Sequence, residues 1–168
     1  MSRASESEKL ALELEAASVF LDWYATSYDV QCRLIKPNQP AKPDVTCQIG
    51  NDKVDIEIAH LYGSEKEAMK ILGRTLTDST RYELQQLMLE GDTQQRLCAA
   101  LKRILKQKAE KHYHSEKVWL VVRNVHPDWR PVELLSQQAF IDIPEDHPFE
   151  CIWLIGDRSA TSGVIRLA

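Results

Sequence analysis

The stretch KPDVTCQIGNDKVDIEIAHL, residues 42–61, constrains the fold more tightly than any other part of the chain. In KVDIEIA, Val54, Ile56 and Ile58 alternate with Asp55, Glu57 and Ala59. Successive side chains of a strand point to opposite faces, so an extended backbone puts the three apolar residues on one face and both carboxylates on the other. Residues 44–49 read as a second strand, and Gly50, Asn51 and Asp52 supply the kind of turn that joins hairpin strands. The hairpin brings Asp44 near Asp55 or Glu57, according to its register. Three carboxylates gathered in this way repel one another unless a cation offsets them. Mg²⁺ or Mn²⁺ suits the position, because these hard ions take carboxylate oxygens, waters and substrate phosphates.

The rest of the chain supplies the layers that such a hairpin needs. Leu10, Leu14, Ala17, Leu21 and Tyr24 recur at steps of four and three, which predicts a helix over about 8–25. A short apolar segment around 30–35 follows, and the three prolines of PNQPAKP then forbid a helix and make a loop that delivers Asp44. Residues 64–90 read as helical in two pieces, weakened around Gly73, and 93–113 as a further helix. KVWLVVRN and FECIWLIGD are near-continuous apolar runs, the pattern of strands buried on both faces, and SGVIRLA adds an edge strand. Between the two runs, HPDWRPVELLSQQAF is a connection with one helical turn. The order predicts an α/β fold, one domain over 1–168, with a mixed central sheet flanked by helices.

Composition narrows the function classes. No apolar run reaches the roughly 20 residues that span a bilayer, and the N-terminus lacks the basic and apolar blocks of a signal peptide, so the expectation is a cytoplasmic protein with no membrane partner. Cys32, Cys47, Cys98 and Cys151 form no C-x-x-C pair, which argues against a zinc knuckle or a redox motif. The net charge is -4, which argues against indiscriminate nucleic-acid binding. The stretch from Arg96 to Lys117 is nevertheless basic, with Lys102, Arg103, Lys106, Lys108 and Lys111 opposed only by Glu110 and Glu116.

Pro43-Asp44 followed by the acidic strand resembles the PD-(D/E)XK nuclease superfamily, whose signature is a Pro-Asp on one strand and an acid-x-Lys on the next. The predicted element order is similar to that family's restriction-endonuclease-like αβββαβ core over most of the chain. The lysine of the signature is absent from the strand. With Asp55 as the motif acid, Glu57 takes the lysine position; with Glu57 as the motif acid, Ala59 does. The second register is preferred, since the strand looks like a divergent branch whose lysine comes from a later helix. On the helix over 93–113, Leu97, Leu101, Ile104 and Leu105 form an apolar stripe, and Lys108 falls near its centre. In the first helix Glu13 lies within the apolar sector, and the resemblance makes it a metal-binding glutamate at the sheet edge. The resemblance therefore implies a Mg²⁺- or Mn²⁺-dependent nuclease with Asp44, Glu57, Lys108 and Glu13 as catalytic residues. Asp44, Glu57 and Asp55 would hold metal. The implied partner is nucleic acid, DNA ahead of RNA, and a homodimer is compatible with the reading.

Each residue also has a plainer role. Asp44 fits a turn residue after proline, Asp55 and Glu57 a solvated strand face, Lys108 a snorkelling helix-end lysine, and Glu13 an exposed helix glutamate. His60 fits either a phosphate contact or a structural histidine. The four tryptophans, Trp23, Trp119, Trp129 and Trp153, read as core or interface rather than base-stacking platforms. The rival function is a catalytically inactive module of the same fold that binds nucleic acid or protein.

Overall fold

Burial on both faces of the central hairpin divides the molecule into layers. The computed structural model describes residues 3–38, 43–61, 93–113, 115–124, 143–157, 159–161 and 163–168, with side chains from Lys9 onward in the first helix and from Ala99 onward in the second. In chain order the described elements are α1 (Arg3–Tyr28), β1 (Cys32–Pro37), β2 (Val45–Ile49), β3 (Asp52–Leu61), α2 (Thr93–Ala109), β4 (Val118–Asn124), β5 (Cys151–Ile155) and β6 (Val164–Arg166). The expected helices within 64–90 and the connection over 126–140 lie outside the described residues.

The strands form one six-stranded sheet in the order β1-β2-β3-β4-β5-β6. β1, β2 and β3 run antiparallel, β3, β4 and β5 are parallel, and β6 returns antiparallel at the edge, so the sheet is mixed as expected. β2 and β3 meet through the two residues Gly50 and Asn51, with Ile49 paired to Asp52. Gly50 takes φ +60°, the backbone sign that a tight hairpin asks of its turn and that a side chain would strain.

One face of the sheet packs against α1. Val45, Cys47, Val54, Ile56, Ile58, Trp119, Val121 and Trp153 meet Ala16, Ala17, Phe20 and Leu21 there. The other face packs against α2, where Ala59, Leu61, Val118, Leu120, Val122, Ile152 and Leu154 meet Ala100, Leu101, Ile104 and Leu105. This two-sided burial explains the unbroken apolar runs, since every position of β4 and of β5 is buried. Each such aliphatic or aromatic side chain contributes on the order of 1.5–3 kcal/mol by leaving water.

Two boundaries differ from the sequence reading. α1 runs three residues past Ala25 and stops at Asp29, whose φ of 52° is the left-handed conformation that closes a helix. Its buried stripe is rotated from the expected one: Leu10, Leu14 and Tyr24 are only half-buried, while Glu13, Ala16 and Phe20 are buried. The reason is aromatic packing. Phe20 stands 5.5 Å from Trp153 and 6.2 Å from Trp119, ring centre to ring centre, and pulls its own side of the helix onto the sheet. α2 ends at Ala109, short of Tyr113.

Candidate functional site

β2 and β3 position the acidic residues. Their register pairs Val45 with Ile56 and Thr46 with Asp55, and one step further along it Asp44 lies across from Glu57. Side-chain alternation then sends Asp44, Thr46, Asp55 and Glu57 to the α2 face, opposite the face that holds Val54, Ile56 and Ile58. That segregation is the one expected from the alternating sequence.

The carboxylates are not a solvated strand face. Asp44 is 1% exposed and Glu57 is 0% exposed. The Asp44 side chain reaches across to the next strand: its Oδ2 accepts a hydrogen bond from the Ile58 backbone N–H of β3 at 2.8 Å. The approach to it is clamped by Asn38, whose backbone N–H donates to the Asp44 carbonyl at 2.9 Å. The Asn38 side-chain amide donates to the Pro43 carbonyl at 3.1 Å and to the Thr46 hydroxyl at 2.8 Å.

Glu57 receives the end of α2. The Lys108 ammonium lies 3.1 Å from Glu57 Oε2, and its side chain is only 16% exposed. The helix explains this placement, because Lys108 stands four residues after Ile104 and three after Leu105, both buried against the sheet. The side chain follows that stripe inward, whereas Lys102 and Lys106 are exposed. Lys108 therefore does not snorkel outward.

Tyr113 completes the cluster and was not singled out from sequence. Its hydroxyl lies 3.2 Å from Glu57 Oε2 and 3.1 Å from the Lys108 carbonyl oxygen. Burial raises its pKa above the ordinary tyrosine range, and the negative charge of Glu57, its hydrogen bond and the charge of Asp44 push in the same direction. The phenol is thus a standing donor. A tyrosine four residues beyond a helix end has no periodic signal, so only the chain's path after Ala109 reveals it.

Asp55 and Glu13 are placed differently. The Thr46 hydroxyl donates to Asp55 Oδ1 at 2.6 Å, which ties this half-buried carboxylate to its cross-strand neighbour. Glu13 is buried, as its place in the apolar sector implied, and Lys9 lies 3.8 Å from its Oε1 one turn earlier on α1. Among the described residues no group of three or more His, Cys, Asp or Glu side chains is placed to hold a metal ion. Of the three carboxylates expected to share a cation, Asp44 and Glu57 are the fully buried two, and Asp55 is half-buried. Two buried carboxylates with hard oxygens fit Mg²⁺ or Mn²⁺, which complete their shells with water and phosphate. They do not fit a soft or tetrahedral centre.

On the opposite face lies a second buried polar group. Arg123, 0% exposed, donates from Nη1 to Glu15 Oε1 at 2.8 Å, from Nη2 to the Leu12 carbonyl at 3.2 Å and from Nε to His60 Nε2 at 3.2 Å. His60 is therefore a structural acceptor on the α1 side and faces away from Glu57. Trp23, Trp119 and Trp153 are core or core-edge residues around Phe20, and Trp129 lies outside the described residues. An open depression of about 590 Å³ lined by Ala25, Val30, Cys32 and Gly50 sits at the far end of β2 from Asp44. No helix among the described residues is long and apolar enough to cross a membrane.

Comparison with protein-family models, with curated proteins and with solved structures finds no match.

Proposed function

We propose that the protein is a metal-dependent nuclease that hydrolyses phosphodiester bonds, with DNA ahead of RNA as substrate. One observation carries this reading. Asp44 at the entry to β2, Glu57 of β3 and Lys108 of α2 are separated in sequence, and they come from the hairpin and the helix that a divergent PD-(D/E)XK site requires. Glu57 and Lys108 meet at 3.1 Å, and both acids act on Tyr113. The order of the described elements, α1, β1–β3, α2, β4, supports a likeness to the restriction-endonuclease-like αβββαβ core.

Asp44 and Glu57 would hold Mg²⁺ or Mn²⁺ through their carboxylate oxygens. When bound, the cation supplies a water of lowered pKa and offsets charge on the phosphate oxygens. The residues of the chain do the rest. The Ile58 N–H fixes the Asp44 carboxylate, so its direction is set before any ligand arrives. The Lys108 ammonium neutralises Glu57, and it stands where it can orient an attacking water or oppose the charge that builds on the phosphoryl oxygens. Exposed Lys102 and Lys106 lie on the same helix and offer point charges to a phosphate backbone.

The test is cleavage of single- and double-stranded DNA and RNA by wild type and Glu57→Ala, with Mn²⁺, Mg²⁺ or EDTA. Cleavage that requires metal and disappears in the variant is the expected result. Absence of cleavage on every substrate, with no stabilisation by millimolar Mn²⁺, would favour an inactive module of the same fold instead.

A further inference from the structure

We infer that Tyr113 is a positioning residue that orients the Glu57 carboxylate toward a bound divalent cation; the inference rests on the metal-dependent reading above. The Tyr113 hydroxyl has one proton and two acceptors in reach, Glu57 Oε2 at 3.2 Å and the Lys108 carbonyl at 3.1 Å. The carbonyl has another donor, since the Lys111 backbone N–H reaches it at 3.3 Å. A charged carboxylate is also the stronger acceptor, so the proton goes to Glu57.

Lys108 and Tyr113 approach the same oxygen but restrain it differently. An ammonium on a four-carbon stem is a point charge with three rotating donors and imposes little direction. The phenol sits on a rigid ring, and that ring is packed: Phe149 lies 5.5 Å away centre to centre, within the apolar core under α2. Lys108 supplies charge and Tyr113 supplies direction. Oε2 is thereby held by the end of α2, and the plane of the carboxylate is set before a cation binds. Partners that orient a metal ligand in this way are typically worth about 10–100-fold in metal affinity.

The experiment is a Mn²⁺ titration of the full chain, wild type against Tyr113→Phe, read by the shift in thermal unfolding and by the paramagnetic resonance of free Mn²⁺. Tyr113→Phe keeps the ring against Phe149 and removes only the hydroxyl. The expected result is an increase of about tenfold or more in the Mn²⁺ concentration at half-saturation. An unchanged titration, with wild type binding normally, would overturn the role of Tyr113 and leave the metal reading intact. No Mn²⁺ binding by wild type would overturn the metal reading itself, and this inference with it. Where Tyr113→Phe does not fold, Phe149→Leu loosens the ring while keeping the hydroxyl; weaker Mn²⁺ binding supports the inference and unchanged binding overturns it.

Discussion

The two faces of the sheet both bury charge, but to different ends. On the α1 face, Arg123 ties the helix to the sheet: it holds Glu15, the Leu12 carbonyl and His60 together, within a layer dominated by Phe20, Trp119 and Trp153. On the α2 face, Asp44 and Glu57 are set side by side by strand register, and the end of α2 brings Lys108 and Tyr113 to Glu57. Arg123 joins two layers and needs no ligand. The Asp44–Glu57 pair instead brings two buried carboxylates to facing positions of one hairpin, the kind of placement that marks functional sites. The contrast shows that burial of a charged residue is not by itself a sign of function; which groups it is buried with decides.

The comparison predicts opposite phenotypes. The largest effect is on stability: Arg123→Met strands the His60, Leu12 and Glu15 acceptors and should destabilise by on the order of 3–5 kcal/mol in urea unfolding. Its folded fraction should still cleave; loss of cleavage in fully folded Arg123→Met would break the division between the faces. Glu57→Ala should reduce metal-dependent cleavage by about 100-fold or more while the protein still unfolds cooperatively. Lys108→Ala should cost about tenfold in cleavage rate under saturating metal, less than Glu57→Ala because a cation partner and not a ligand is lost.

Alkaline pH reaches both faces. Burial, followed by the charges of Asp55 and Cys32, pushes the Cys47 thiol up to about 12 from 9.0, and Tyr113 is also raised. A raised folded pKa means the protonated form is favoured in the native state. The stabilisation is complete below the unfolded pKa and is lost as pH climbs toward the folded value. Urea midpoints should therefore fall above about pH 9, the unperturbed region for a thiol. Cys47→Ala should remove the α1-face share of that fall and Tyr113→Phe the α2-face share; a slope unchanged in both variants would refute the assignment. The smallest effect belongs to Glu15→Gln. Its side chain is 44% exposed, so the loss should be about 1 kcal/mol or less, far below that of Arg123→Met.

How far the site was legible depended on periodicity. The alternation in KVDIEIA placed Asp55 and Glu57 together on one face, because strand geometry leaves no other choice. The helical stripe through Leu101, Ile104 and Leu105 carried Lys108 inward for the same kind of reason. Glu13, placed by the same period within the apolar sector of α1, is buried. Asp55 was harder. Alternation could not tell it from Glu57, and only the register that pairs it with Thr46 separates their surroundings. Arg123 lay inside an apolar run, where a buried guanidinium demanded partners that the sequence did not name.

By itself the sequence determined α1, the central hairpin, α2, the two-sided burial of β4 and β5 and the shared face of Asp55 and Glu57, because these follow from local periods of two and 3.6 residues. Only the tertiary structure decided the strand register, the meeting of Lys108 with Glu57, the arrival of Tyr113 and the Arg123 tie. The last three depend on contacts between residues 51 to 111 positions apart, which no local pattern encodes.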